Sequence, residues 1–220
     1  MRTIILTNKP EDVRSGAVLP GTFYTVDSVN ATFPKLYGSA ESVVVCVEFG
    51  HIISDIDIES MQRMGARVFN IHRGDPEEYR GASVLNHQIL DGVSNVHVSL
   101  IELKPGEPVD GGDVIYQVPV RIKGATYTEA VERCRNCYCS LIREAMAERR
   151  RGLTTPPKRG KLYKRREPKN SFIGSEMTIW AMRTILAADP VDYPAYFDLD
   201  GYRFYLQISS KELIKDGHLF

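Results

Sequence analysis

Apolar and polar positions follow two rhythms along this chain, and each change of rhythm marks a predicted element. TIILT (Thr3 to Thr7) and TFYTV (Thr22 to Val26) read as short strands, and ESVVVCVEFG reads as a stronger one, closed by Gly50. Its unbroken run of β-branched residues suits a parallel strand buried on both faces. The spacing then turns helical: Ser54 is the predicted N-cap of DIDIESMQRM, whose acidic first turn suits the positive end of the helix dipole. Gly65 stops that helix and ARVFNI returns as a strand, so the order is strand, helix, strand, the signature of a parallel crossover.

Farther along, GASVLNHQILDG reads as a helix stopped by Gly92, VHVSLIEL alternates as a strand does, and DVIYQVPV follows the loop KPGEPVDGG. Thr126 and Glu129 form a capping-box pair that opens a helix expected to run to about Arg150. The basic, proline-broken RRGLTTPPKRG then marks a boundary, dividing the chain into a core, 1–150, and an extension, 151–220. The extension is predicted to hold a helix over about 173–188, closed by Asp189-Pro190, and a hairpin, YFDL-DG-YRFYL, turning at Asp200-Gly201. Trp180 falls in the apolar pattern of that helix and is expected in the core. The aromatic residues of the hairpin, from Tyr193 to Tyr205, are expected to pack, with stacking on a base as the other reading. The fold expected is α/β and Rossmann-like, a mainly parallel sheet flanked by helices with a small helix-plus-hairpin extension. The first forty residues show no clear second crossover unit.

Composition changes this picture little. With 43% hydrophobic and 25% charged residues among 220, the chain is an ordinary globular one rather than a disordered one. No apolar run approaches the roughly 18 residues of a membrane span, and MRTIILTNKPED is too short-patterned for a secretory signal, so a cytoplasmic location is expected. The zero net charge hides an asymmetry: Arg149 to Lys169 holds ten Lys or Arg against one Glu, a local +9 that the rest balances. Such a run is a solvated strap or an attractor of phosphate. CRNCYC crowds Cys134, Cys137 and Cys139 together, but no second ligand pair accompanies them, and Cys134 and Cys137 share a helical stripe with Ala130, Leu141 and Ala145. Core packing is therefore expected there, and no metal.

The chemistry-bearing residues come next. Neither GxGxxG after the first strand nor GxxxxGK[ST] occurs, which removes ordinary dinucleotide and P-loop chemistry. Asn70 and His72 instead end a strand, one residue apart and therefore on one face. The loop PVDGGD offers Asp110 and Asp113 beside glycines that permit close backbone approach. An amide to donate to an oxyanion, an imidazole to move protons and a carboxylate to orient it suit acyl transfer. The residues alone also allow a structural histidine and an ordinary loop.

NIH (Asn70 to His72), YRGA (Tyr79 to Ala82) and VDGGDVIYQ (Val109 to Gln117), in that order, resemble the folate-dependent formyltransferases. Those enzymes carry Asn-x-His, a Tyr-Arg-Gly-Ala-like segment and a D-x-G-D or D-G-G loop, and VVVCVEFGHII looks like their strand entering the folate pocket. The resemblance covers roughly residues 40 to 150. It implies 10-formyltetrahydrofolate as co-substrate and no metal. His72 would handle the proton of the attacking amine, Asn70 would stabilise the oxyanion, and Asp110 would orient His72 or a water. The pterin would lie against Phe49, Gly50, His51, Ile52 and Ile53, and against Glu107, Pro108, Val109 and Asp110. His51 keeps a second reading, as a residue bonded locally at a strand end. One departure is clear: relatives follow the His with Pro-Ser-Leu-Leu-Pro, whereas this chain has Arg73-Gly74-Asp75-Pro76-Glu77.

That loop faces the acceptor in relatives, so Arg73, Tyr79 and Arg80 are the expected acceptor contacts. GKLYKRREP resembles a Gly-x-Tyr-x-Arg-Arg-x-Pro stretch of the sugar N-formyltransferases, which implies a nucleotide-linked amino sugar of the kind used in lipopolysaccharide O-antigen assembly. Methionyl-tRNA formyltransferases are expected to append a further domain that has no room after Arg150. Relatives with this tail are often dimers, so a homodimer is expected, with small-molecule substrates and neither nucleic acid nor membrane as partner. Competing readings are a formyltransferase or hydrolase acting elsewhere, and a nucleic-acid binder using the basic segment.

Overall fold

The computed structural model describes residues 2–9, 22–25, 42–147, 160–172, 178–199 and 202–206. Its centre is a six-stranded sheet in the order β2-β1-β3-β4-β6-β7. The strands are β1 (Arg2–Thr7), β2 (Thr22–Thr25), β3 (Ser42–Val47), β4 (Arg67–His72), β6 (Asn95–Glu102) and β7 (Asp113–Arg121). β2, β1, β3 and β4 run parallel, while β6 is antiparallel to both neighbours. This is the mainly parallel α/β sheet that the pattern predicts.

Alternation within the strands explains why both faces are covered. Ile5, Val43, Val45, Val47, Phe69 and Ile71 point into one core, with the helices α2 (Val84–Leu90), α3 (Tyr127–Arg135) and α4 (Tyr138–Met146). Ile4, Leu6, Val44, Cys46 and Val68 point the other way, onto Ile58 and Met61 of α1 (Asp55–Arg63). Ser54 caps α1 by accepting from the Asp57 N–H, and Gly65 ends it at φ 81, as the punctuation of the sequence requires. No helix among the described residues is long and apolar enough to cross a membrane.

Two expectations need correction. The helix opened by the Thr126 capping box stops at Arg135 and restarts at Tyr138. The Cys137 thiol donates to the Cys134 carbonyl and the Ser140 hydroxyl to the Cys137 carbonyl, side-chain bonding that bends a helix. Cys134 and Cys137 are nonetheless buried on the stripe foreseen for them. The second correction is Trp180, which lies 56% exposed on α5 (Ile179–Ala187). That helix turns its small residues, Ala181, Thr184 and Ala187, inward, and Ile179, Trp180 and Met182 face outward.

The basic segment returns to the core. β8 (Lys161–Tyr163) pairs in parallel with β5 (Tyr79–Gly81), Gly81 against Tyr163. α5 packs beside α2, where the Asn86 amide donates to the Ala187 carbonyl. The hairpin of β9 (Ala195–Leu199) and β10 (Tyr202–Leu206) is present, with Phe197 stacked on Phe204 at 5.1 Å. The turn at residues 200–201 and the first part of the expected helix, 173–177, lie outside the described residues.

Candidate active site

β4 delivers Asn70 and His72 to one face of the sheet at its C-terminal end, beside the end of β3, where Cys46 is the register partner of Asn70. His72 is buried and Asn70 half-buried. Asp110 reaches them from the loop between β6 and β7. One carboxylate oxygen accepts from Asn70 Nδ2 at 2.9 Å, and the other accepts from the Gly81 N–H at 2.8 Å and stands 3.4 Å from His72 Nδ1. Asp110 holds a left-handed backbone, φ 52, a state that costs on the order of 1 kcal/mol for a residue with a side chain. The following glycines allow the tight return. A Cβ at Gly111 would press on Pro108, and one at Gly112 on the Glu102 carbonyl. Asp113 turns away to Lys104.

The other ring nitrogen of His72, Nε2, lies 2.7 Å from the Tyr79 carbonyl oxygen. The loop 73–78 makes this contact by folding tightly. The Asp75 carbonyl accepts the N–H groups of Glu78 and Tyr79, and the Asp75 side chain accepts that of Glu77. Gly74 sits beneath, where a Cβ would lie 2.8 Å from Nε2 and 3.0 Å from the Tyr79 oxygen.

The residues expected to meet the acceptor have internal partners. Arg73 Nη1 stands 3.7 Å from Glu48, which also receives two hydrogen bonds from Arg135 at 2.9 Å and one from the Tyr138 hydroxyl at 3.1 Å. Burial alone would raise the Glu48 carboxyl; the Arg135 hydrogen bonds and the Arg73 and Arg135 charges outweigh it and hold it below the usual carboxylate range. Arg80 is buried, with Nε donating to the Gly160 carbonyl at 2.9 Å and Nη1 to that of Val109 at 3.5 Å. The Tyr79 hydroxyl donates to Asp91 at 2.8 Å and its ring stacks on Tyr163. Burial, helped by that carboxylate, raises the Tyr79 hydroxyl above its ordinary range.

Of the expected folate-side residues, Phe49 and His51 meet edge to face at 5.4 Å, Ile52 is 76% exposed, and Ile53 is buried in the α1-side core. Gly50 accepts from Arg165 of the basic segment at 3.4 Å and donates to Asn8 Oδ1 at the end of β1. Glu107 is exposed, Pro108 half-buried and Val109 39% exposed. Sequence reasoning did not single out Glu48, Arg135, Gly74, Asn8 or Gly160. Glu48 carried a signal, as a carboxylate closing an apolar strand; Asn8 carried the same signal that marked Asn70, a polar residue at a strand end. Among the described residues no cluster of His, Cys, Asp or Glu is placed to hold a metal ion.

A family model described as formyl transferase matches residues 27–139, just over half of the 220-residue chain. No curated protein matches the sequence. A variant of HypX from Aquifex aeolicus superposes with a TM-score of 0.75 at 18% identity, over 97% of this chain and 40% of HypX. This chain therefore spans less than half of that protein. HypX in complex with tetrahydrofolic acid gives 0.70 at 18%, over 92% of this chain and 36% of HypX. Methionyl-tRNA formyltransferase from Clostridium thermocellum gives 0.71 at 18%, over 96% of this chain and 94% of its own. A 4-N formyltransferase from Francisella tularensis gives 0.71 at 13%, over 96% and 98%. At these identities the likeness is one of fold. The solved methionyl-tRNA formyltransferase chain is matched almost throughout its own length.

Proposed function

The chain belongs to the formyl transferase family, and on that premise we propose that it moves a formyl group from 10-formyltetrahydrofolate to the primary amine of a nucleotide-linked amino sugar. The observation that carries the reading is the convergence of Asn70, His72 and Gly81 on the Asp110 carboxylate. The formylated folate supplies an activated one-carbon unit. Its ring has apolar surface to cover where Ile52 and Val109 stand exposed, on loops bordering Asn70 and Asp110. Tetrahydrofolic acid bound to HypX, a protein of the same fold, supports that choice of donor.

The residues divide the work by their chemistry. Asn70 uses one amide hydrogen on Asp110 and keeps the second for the oxygen that gains charge as the amine adds to the formyl carbon. His72 takes the proton the amine loses, and Asp110 steadies the charged ring. The proton then leaves on the folate nitrogen as its bond to the formyl carbon breaks. On the acceptor side, Lys161 and Arg165 belong to the strap beside β5 and form no ion pair among the described residues, which suits them to a diphosphate.

The test is mass spectrometry of amino sugars linked to deoxythymidine, guanosine and uridine diphosphates after incubation with the formyl donor. A formyl gain on one member, absent with His72→Asn, is the expected result. Tetrahydrofolate release without a formylated sugar would replace the acceptor with water or another amine. No turnover of the donor would overturn the reading.

A further inference from the structure

A cavity of 220 Å³ opens between the end of α2, the turn from β7 into α3, and α5. It is distinct from the Asp110 site. Ser94, on its wall, precedes β6, and Ser99, the register partner of His72, lies five residues on, about 16 Å at the usual strand rise. Ile89, Val93, Ile122 and Leu186 supply an apolar lining, and the charged side chains on the wall are Lys123 and Arg183. Neither forms an ion pair among the described residues. Arg183 Nη1 donates to the Leu90 carbonyl at 3.4 Å. Among the described residues no carboxylate lines the space.

Two cations beside an apolar hollow, without an acid, favour one kind of occupant. An engineered cavity of about 150 Å³ accommodates benzene, so this one has room for a ring and an acidic group together. The walls also adjoin the loop that closes over His72. At the end of α2, Gln88 donates to the Arg73 carbonyl at 2.7 Å, and Asp91, the residue that follows the helix, receives the Tyr79 hydroxyl at 2.8 Å. Ile89 and Gly92, interleaved with them, line the cavity. The Arg183 guanidinium lies against Gly92 so closely that a Cβ there would strike it.

We infer that this cavity is a second binding site, for a small organic anion: a carboxylate or phosphate monoester on a ring-sized apolar body, held between Lys123 and Arg183. The claim is independent of the reaction assigned to the Asp110 site. Trp180, the one tryptophan of the chain, stands three residues before Arg183 and reports binding by its fluorescence.

The experiment titrates the full chain at low salt with phenyl phosphate, benzoate and neutral benzyl alcohol. Saturable binding of either anion is expected, at least tenfold tighter than benzyl alcohol. Lys123→Gln and Arg183→Gln should each weaken the anions about tenfold, the loss of one charge-assisted contact, and leave benzyl alcohol unchanged. Lys123 is exposed, so its variant serves even if the Arg183 variant folds poorly. Equal affinity for benzyl alcohol, no saturable binding, or binding that survives Lys123→Gln but is lost in Arg165→Gln would overturn the assignment.

Discussion

The Tyr79 carbonyl oxygen stands 2.7 Å from His72 Nε2, while Asp110 faces the other ring nitrogen. A neutral imidazole has one N–H and satisfies one of these acceptors; the charged ring satisfies both. The Tyr79 oxygen, a carbonyl, can only accept, so its hydrogen bond with the ring requires a hydrogen on Nε2. On the proposed mechanism Nε2 can receive the proton of an amine only if Tyr79 yields its place, which would make the loop 73–79 a working part of the site.

Gly74 makes this loop position possible, and Gly74→Ala tests it. The added methyl would lie 2.8 Å from Nε2 and 3.0 Å from the Tyr79 oxygen, so ring and carbonyl must part. A displacement of that order costs about a hundredfold in kcat. The loss should appear in single-turnover formylation by the folded variant, beside an overpacking cost of about 1–3 kcal/mol in stability. Unchanged kcat would mean that the Tyr79 contact has no part in turnover.

Asp110→Asn separates charge from shape. The carboxylate accepts from two donors, Asn70 Nδ2 and the Gly81 N–H, with different oxygens. An amide has one accepting oxygen, so its NH2 group must oppose one of those donors, at about 1–3 kcal/mol in stability. The charged form of His72 also loses its partner. A drop of at least about a hundredfold in kcat, with KM for the folate nearly unchanged, is the expected outcome of steady-state kinetics. Turnover within twofold of wild type would remove Asp110 from the chemistry.

Much of this was legible in the sequence. The unbroken apolar run at Val43 to Val47, the Ser54 and Thr126 caps and the buried cysteine stripe all follow from local sequence, and the structure contains each. That Asn70, His72 and Asp110 meet was readable because a motif joins them in order. What could not be read is pairing across distance. Glu48 meets Arg135 across 87 positions and Arg80 meets Gly160 across 80, and no periodicity carries that information. The expected acceptor arginines illustrate the limit: residue type and place in a motif suggested a ligand, and no local spacing foretold that Arg73 stands 3.7 Å from Glu48 or that Arg80 donates to the Gly160 and Val109 carbonyls.

Glu48 also gives the fold a pH dependence whose sign follows from its surroundings. Its carboxyl is depressed relative to the unfolded chain, so the stabilisation is complete above the unfolded value of about 4.3 and is lost as pH falls through the lower folded value. Glu48→Gln, which leaves Arg73 and Arg135 without this carboxylate, should cost about 3 kcal/mol near neutrality. Urea midpoints should show the gap between variant and wild type closing as pH drops from about 6 to about 3. A gap independent of pH would mean that the charge of Glu48 is not what holds the cluster.

The strap that carries β8 rests on two glycines, and one of them offers a test of what the strap is for. A Cβ on Gly160 would fall 2.6 Å from the Glu77 carbonyl carbon and oxygen and from the Glu78 nitrogen, all backbone atoms with little freedom to yield. Gly160→Ala should therefore cost about 1–3 kcal/mol by overpacking. It should weaken the Gly160 N–H bond to Pro76 and the Arg80 bond to the Gly160 carbonyl. β8 holds β5 through three register pairs, so the damage should appear as local opening rather than global unfolding. Trypsin should then cut after Lys161, Lys164 and Arg165 about tenfold faster, read by mass spectrometry of the fragments. If the strap also binds the acceptor, KM for the acceptor rises while that for the folate holds; faster cutting with both unchanged would leave the strap a brace and move acceptor recognition elsewhere.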